Sequence, residues 1–498
     1  MNGARQRPSA VPPPSRRRFL RGVAATAAGA AAAGAAAALA VRGEGASRPR
    51  PLPAPAGARR RRPNVVLVVA DDLGHGELGS YGQRRMRTPR LDRLAAEGMR
   101  FTCFYAGAPV CAPSRCTLLT GRHVGHARVR DNPRGTDAPL RPQDVTFGMA
   151  LHKAGYRTGL FGKWGFGGPD PHTDSHPNDK GFEEFFGYLS HKEAHSHFPL
   201  KLWENRTPVR FPANRRRGRT VYAPEVIVQR GLQFMERHRK EPFLLVLALP
   251  LPHAPSLVPG DPYPRKPWRA PDRGHAAQIG LLDSYVGRLV DKLAELGLTD
   301  DTLVFFTADN GPHEEDGVDP DFFGARGGLR GYKRNLYEGG IRVPLIVWGP
   351  GHLTRTRGAV NARPAAMWDL FPTFTDLAGL GPAEGDGISL RGALTGRGDP
   401  PRHEYLYWAR PTGDRRTPRA ARTERGRTWR AAAAVRFGDW KLIGYAPGRR
   451  YSPPDDTWSL ELYDLRSDPA ETTDLAPARP EVVERGIGYL RKAWTPPE

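Results

Sequence analysis

Three kinds of residue with chemistry to offer stand out along this 498-residue chain. The first is a thiol in Val110-Cys111-Ala112-Pro113-Ser114-Arg115, with a proline two positions after the cysteine and an arginine four positions after it. This stretch reads as loop, ahead of a helix that begins around Cys116-Thr117-Leu118. Proline suits a first helical turn and free cysteine is a commonly buried residue, so a buried thiol near a helix start is the plain reading. The second kind is paired: Asp71-Asp72 and Asp309-Asn310. Their hard oxygens suit Ca²⁺ or Mg²⁺, whereas zinc prefers His and Cys. Either pair alone also reads as a helix N-cap or a turn. The third kind is cations and histidine on loops: Lys163 in Gly162-Lys163-Trp164-Gly165, His253 after Leu249-Pro250-Leu251-Pro252, and Lys333 in Leu329-Arg330-Gly331-Tyr332-Lys333. A loop lysine alone is ordinarily solvated. Adjacent carboxylates with cations nearby suit chemistry on an oxyanion.

These residues need elements that bring them together. Asn64 to Ala70 is continuously apolar and β-branched, the mark of a strand buried on both faces, and it ends at Asp71-Asp72. Thr88-Pro89 starts a helix with Leu91, Leu94 and Ala95 inward and Gly98 as the stop. A helix is expected from about Thr146 to Ala154 and a strand from Thr158 to Phe161. Pro224 to Arg239 reads as helix, Phe243 to Leu249 as buried strand and Ala276 to Leu296 as a long amphipathic helix. Thr302 to Thr307 is a strand leading into Asp309-Asn310, and Val343 to Trp348 is another. Alternating strands and helices predict an α/β fold, a large doubly wound mixed or parallel sheet flanked by helices. In such sheets ligands sit beyond the carboxyl ends of the strands, where both acidic pairs fall.

Beyond about residue 400 the texture changes. Arg410 to Arg430 is an Arg/Thr-rich loop, followed by strands at Ala432 to Val435, Trp440 to Tyr445 and Glu461 to Leu465 and a closing helix from Glu481 to Trp494. This predicts a smaller C-terminal α+β domain on an antiparallel sheet. The expected organisation is a signal over 1–40, a disordered linker over 41–62, a catalytic domain over 63–400 and the C-terminal subdomain over 401–498.

The N-terminus carries Ser15-Arg16-Arg17-Arg18-Phe19-Leu20-Arg21, a twin-arginine pattern, then an Ala-rich run from Val23 to Leu39. The run is too short and too weakly apolar for an anchor, so export by the Tat translocase is expected, with no stable membrane insertion of the mature chain. The net charge of +23 falls to +17 without residues 1–40, which hold six Arg and no acid. No aromatic-interleaved basic motif of a nucleic-acid module is present, so no nucleic-acid partner is expected; the charge attracts anionic substrates. Three cysteines make no disulfide framework, though Cys103 and Cys116 are close enough in sequence for a local bridge.

Taken together, the chain resembles the formylglycine-dependent type I sulfatases. The sharpest match is Cys111-Ala112-Pro113-Ser114-Arg115 followed by Leu119-Thr120-Gly121-Arg122. Supporting matches are Asp71-Asp72, Gly162-Lys163-Trp164, Pro252-His253, Thr307-Ala308-Asp309-Asn310-Gly311 and Glu338-Gly339-Gly340-Ile341-Arg342-Val343-Pro344. Gly438-Asp439-Trp440-Lys441 and Glu461 to Leu465 match the family's second domain. The resemblance implies that a formylglycine-generating enzyme oxidises Cys111 to Cα-formylglycine. It implies that Asp71, Asp72, Asp309, Asn310 and the side chain at Cys111 hold one divalent cation, usually Ca²⁺. The aldehyde hydrate would attack sulfur and later expel sulfate through its second hydroxyl, an exit that serine lacks. Arg115, Lys163 and Lys333 would stabilise the sulfuryl oxygens, and His253 would protonate the leaving oxygen.

The sequence departs from the family at Gly165, where many sulfatases carry a histidine. His191, His195 and His197 cluster soon after, and His195 is the candidate replacement base; lining the substrate entrance is the other reading of the cluster. The expected activity is hydrolysis of sulfate monoesters, of sulfated carbohydrates or aryl sulfates, with Trp164, Phe166, Tyr188 and Trp203 as candidate aromatic walls. The alternatives are a phosphomonoester or phosphonate hydrolase of the same superfamily and a non-catalytic binder of sulfated glycans.

Overall fold

The computed structural model describes residues 62–133, 139–168, 170–260, 263–398, 401–413 and 417–496. The twin-arginine stretch and all of the expected linker except Arg62 lie outside the described residues. In chain order the strands are β1 Asn64–Ala70, β2 Met99–Tyr105, β3 Arg157–Lys163, β4 Glu184–Tyr188, β5 Lys201–Glu204, β6 Thr207–Arg210, β7 Phe243–Ala248, β8 Thr302–Ala308, β9 Arg342–Trp348, β10 Ala359–Asn361, β11 Ala365–Ala366, β12 Leu406–Arg410, β13 Ala432–Phe437, β14 Trp440–Tyr445 and β15 Ser459–Asp464. The helices are α1 Pro89–Glu97, α2 Cys111–Thr120, α3 Phe147–Lys153, α4 Ala223–Arg237, α5 Ala270–Glu295, α6 Glu338–Ile341, α7 Leu370–Leu377, α8 Arg391–Thr395, α9 Pro418–Thr423 and α10 Pro480–Lys492.

The large sheet has the order β10-β2-β9-β8-β1-β7-β3-β4-β5-β6, with β11 also pairing β2. Its centre, β8-β1-β7-β3-β4, is parallel, and β9 runs antiparallel beside β8. β1 lies mid-sheet, and all seven of its residues are buried. Burying each Val or Leu of such a strand contributes roughly 1.5–3 kcal/mol, which is why its apolar run is continuous. Helices flank the sheet: α4 packs on β3 and β7 and against α5, while α3 also meets β3 and packs on α7. The register aligns the carboxyl ends. Ala70 is level with Ala308, Val69 with Ala248, and Lys163 with Tyr188. Whatever follows β1, β8, β7, β3 and β4 therefore emerges at one edge.

The second sheet is the expected small antiparallel one, β12-β13-β14-β15, with α10 against β13 and β14. Several local expectations change. Helix α2 starts at Cys111 itself, five residues before the expected start, because Val110 is extended and Pro113 needs no N–H partner in a first turn. Thr88 holds the N-cap position of α1 without capping it; its hydroxyl donates to Asp92 instead, 3.1 Å away. The Arg/Thr-rich stretch is not all loop, since it begins in β12 and contains α9. Strands β2, β4, β5, β6, β10, β11 and β12 are not among the expected elements. Cys103, Cys111 and Cys116 are all free, so the local bridge is not formed. No helix among the described residues is long and apolar enough to cross a membrane.

Candidate active site

Asp71-Asp72 and Asp309-Asn310 leave adjacent parallel strands at the same level. All four residues are fully buried. The backbone N–H of Asp72 donates to Asp309 Oδ1 at 3.1 Å, and the Asn310 amide donates to Asp72 Oδ1 at 2.7 Å. Asp72 adopts a left-handed backbone, φ 68°, a strained turn of the kind that collects at functional sites. Asn310 Oδ1 is buried without a hydrogen-bond partner. A buried acceptor without a donor beside three carboxylates fits a hard cation, which these oxygens would coordinate.

Cys111 opens α2 against this cluster. Its Sγ lies 3.2 Å from Asp71 Oδ1 and 3.7 Å from Asp72 Oδ1. Asp71, Asp72, Cys111 and His253 each offer a ligand atom, and these atoms lie within 4.8 Å of one another. Burial and then the Asp71 carboxylate push the Cys111 thiol well above its ordinary range. An unmodified thiol here stays protonated and donates to the carboxylates, so the pocket does not activate a thiolate nucleophile.

The cations neutralise the carboxylates in separate pairs. Arg115, one turn along α2, reaches Asp309 Oδ2 through both Nε and Nη2 at 2.8 Å. Lys163 Nζ lies 2.6 Å from Asp71 Oδ2, and Lys333 Nζ lies 2.7 Å from Asp72 Oδ2. Burial alone would raise the Asp71 carboxyl, but Lys163 and its neighbouring cations hold it well below the usual range. Burial and Asp71 instead push Asp309 up to about 7, although Arg115 opposes them. Burial works against the ammonium of Lys333, yet Asp72 raises it.

The His253 ring has one assignable orientation. Its Nδ1 lies 2.6 Å from the Ala254 carbonyl and so carries the proton, which leaves Nε2 to accept from Lys333 Nζ at 3.1 Å. Burial, then Lys333, pushes His253 down to about 3. The exposed His195 stacks on this ring at 4.5 Å and 18°, and His191 meets His195 edge-on at 5.0 Å. Desolvation of its ring against the His253 ring, then the Lys163 charge, lowers His195 below its ordinary value. His197 points elsewhere: it is buried, with Nε2 on the Pro250 carbonyl at 3.0 Å. Gly165 is bound through its N–H to the Leu189 carbonyl, at φ 92°, a backbone that favours glycine. Its Cβ direction is open space, while the chain carrying His191 and His195 runs on from the neighbouring β4.

All ten residues singled out as ligands or catalytic groups thus gather at one sheet edge. The aromatic walls do not. Trp164, Phe166, Tyr188 and Trp203 are all buried. Trp164 packs edge-on with Phe166 and Phe182, so these rings support the loops from behind, where their large apolar area is best hidden. Sequence reasoning missed Glu315, whose Oε1 lies 3.3 Å from Lys333 Nζ and 2.9 Å from Arg334 Nη1. Its only sequence signal is the acidic run Glu314-Glu315-Asp316 soon after Asp309-Asn310.

The chain has counterparts among known proteins. A family model described as Sulfatase matches residues 63–380. N-acetylgalactosamine-6-sulfatase of Homo sapiens is 35% identical over 356 residues, covering 66% of this chain and 65% of that relative. Arylsulfatase A of Bos taurus is 32% identical over 472 residues, 86% of each chain. The chain therefore spans about two thirds of the length of the first relative and most of the second. Among solved structures, Ps i-CgsB in complex with k-i-k-neocarrahexaose matches with a TM-score of 0.72 at 26% identity, covering 88% of this chain and 94% of that one.

Proposed function

The chain belongs to the sulfatase family, and on that premise we propose that it hydrolyses sulfate monoesters of carbohydrates at the cluster around Cys111. The observation that carries this reading is the Cys111 side chain 3.2 Å from Asp71, with Arg115, Lys163 and Lys333 each already paired to the same group of carboxylates. Cα-formylglycine at Cys111 would supply a hydrated aldehyde, an oxygen nucleophile in place of a thiol that this pocket keeps protonated. Asp71, Asp72, Asp309 and Asn310 would hold Ca²⁺, which adds positive charge beside the sulfuryl oxygens.

The chain's own side chains divide the remaining work. Arg115 and Lys163 fix the carboxylates and turn positive charge toward the bound ester. Lys333 and His253 hold one proton between Nζ and Nε2, and this pair delivers it to the leaving oxygen. His195, stacked on His253 and kept neutral, is the base that the glycine at 165 leaves wanting. A sulfated sugar as substrate is supported by the names of the relatives, one acting on N-acetylgalactosamine 6-sulfate and one bound to a neocarrahexaose. Maturation would require a formylglycine-generating enzyme, and the twin-arginine stretch supports passage through the Tat translocase to the periplasm or beyond. Phosphoester hydrolysis is the weaker reading, because the proposed ligands Asp71, Asp72, Asp309 and Asn310 are all oxygen donors, which suit a hard cation better than a pair of zinc ions.

The test is sulfate release from a panel of sulfated mono- and disaccharides, a synthetic aryl sulfate and the matching aryl phosphate. Preference for the aryl sulfate over every sugar would remove the carbohydrate assignment. Turnover of the phosphate alone would remove the sulfatase activity. The mass of the tryptic peptide bearing Cys111 reports the aldehyde independently.

A further inference from the structure

Glu315 is out of place in a site for an anion. Its side chain is 26% exposed, against 3% for Lys333 and His253 and 0% for Asp72. It is thus the outermost charged group of the cluster. The turn that carries it is pinned. The Glu315 N–H donates to His313 Nδ1 at 3.0 Å, and the adjacent Asp316 accepts from the Ser256 N–H at 3.0 Å on the loop after His253. The two carboxylate oxygens are used unequally. Oε1 takes both Lys333 and Arg334. Oε2 lies 3.6 Å from His253 Nε2, longer than a hydrogen bond, and takes no hydrogen bond among the described residues, in a side chain that is partly exposed. Burial would raise this carboxyl, but Lys333 and then Arg334 keep it ionised, well below the usual range. Lys333 does not need Glu315 to be neutralised, since Asp72 is the closer partner.

We propose that Glu315 is a specificity-determining residue of this site. It selects sulfate esters whose leaving group presents a neutral hydroxyl or amide N–H beside the scissile ester, and it rejects those with a second sulfate or a carboxylate there. The inference rests on the sulfatase reading and deepens it by naming the substrate class: sugars singly charged near the ester. A hydroxyl or amide N–H donates to Oε2 as a charge-assisted hydrogen bond. A second anion at the same place meets a fixed like charge, and such juxtapositions are costly enough to reject a partner.

The experiment uses the full matured chain and the monosulfated sugar of the panel that turns over fastest, compared with its counterpart bearing a second sulfate on a neighbouring carbon. The parent is expected to favour the monosulfated sugar by roughly tenfold or more in kcat/KM. Glu315→Gln, which keeps the shape and loses the charge, should reduce that ratio at least several-fold, mainly by lowering KM for the disulfated sugar. Glu315→Asp, which keeps the charge, should retain the discrimination. A Glu315→Gln protein with the parental ratio, or a parent that turns over both sugars equally, overturns the assignment while leaving the sulfatase reading standing. No sulfate release by the parent from any ester overturns both.

Discussion

Lys163 reaches Asp71 across an intervening strand: Nζ is 2.6 Å from Oδ2, and both side chains are wholly buried. Lys163 ends β3 and Asp71 follows β1, and β7 lies between those strands. Only a long side chain spans two strand spacings, about 10 Å. Lys163→Met is expected to destabilise the fold by about 3–5 kcal/mol in denaturant titration, because buried Asp71 loses its close cation and keeps Arg115 at 3.7 Å and the side chain at 111. The double variant Lys163→Met/Asp71→Asn should recover much of that loss in stability and none of the turnover.

Serine at position 111 separates nucleophilic attack from release. Cys111→Ala should fold as the parent does, bind substrate and release no sulfate. Cys111→Ser should gain the mass of one sulfuryl group on incubation with substrate and then stall, because a simple sulfate ester has no second hydroxyl to expel it. Catalytic turnover by either variant would take the chemistry away from this residue.

The orphaned Asn310 Oδ1 ties cation binding to stability. Chelator treatment should abolish turnover and lower the thermal midpoint, with Ca²⁺ restoring both. At a hundredfold excess over Kd the cation contributes about 2.7 kcal/mol. Asn310→Ala should weaken Ca²⁺ binding in calorimetry, a readout that does not depend on activity.

His195 stacks on His253, and among the described residues its ring makes no hydrogen bond, so it is the variant to read by kinetics. His195→Ala is expected to lower kcat by about 10²–10⁴-fold with the fold intact. A first burst of alcohol release should survive if the lost step is the second one. Full turnover would remove His195 from the mechanism.

Stability should also depend on pH through a buried triad outside the proposed cation ligands. Lys441 Nζ lies 3.0 Å from Glu338 Oε1 and 2.9 Å from Glu471 Oε1. Burial raises Glu338 but Lys441 wins, bringing it to about 2; burial and Glu338 push Glu471 up to about 7. The folded chain therefore keeps a proton on Glu471 that the unfolded chain releases near pH 4.5. Stability from this group is full below pH 4.5 and falls as pH rises toward 7. Glu471→Gln should flatten that slope in urea titrations from pH 5 to 8. An unchanged slope would assign the pH dependence to other groups.

Much of this was legible in the amino-acid order. A continuous apolar run such as Val65 to Ala70 is explained only by burial on both faces, so the central strands and their carboxyl ends follow from local pattern. The residue types at those ends, acid at β1 and β8 and lysine at β3, already indicate a charged site. Local pattern does not carry sheet order, edge strands or pairing between distant residues. It could not tell that β7 separates Asp71 from Lys163, that Cys111 begins α2, or that Trp164 and Tyr188 face inward. Nor could it show how the small sheet anchors the Lys333 loop, where Arg410 binds the Arg334 carbonyl and Glu424, and Glu424 also takes the Asn335 amide. Glu315 makes the difference plainest. As sequence it is one acid in an acidic turn; as structure it is a partly exposed carboxylate that pairs with Lys333 and Arg334 and lies beside His253. Which groups could do chemistry was written in residue type and spacing. Which of them meet was decided by tertiary packing, because ion pairs form between neighbours in space and the sheet order that makes them neighbours is a property of the whole chain.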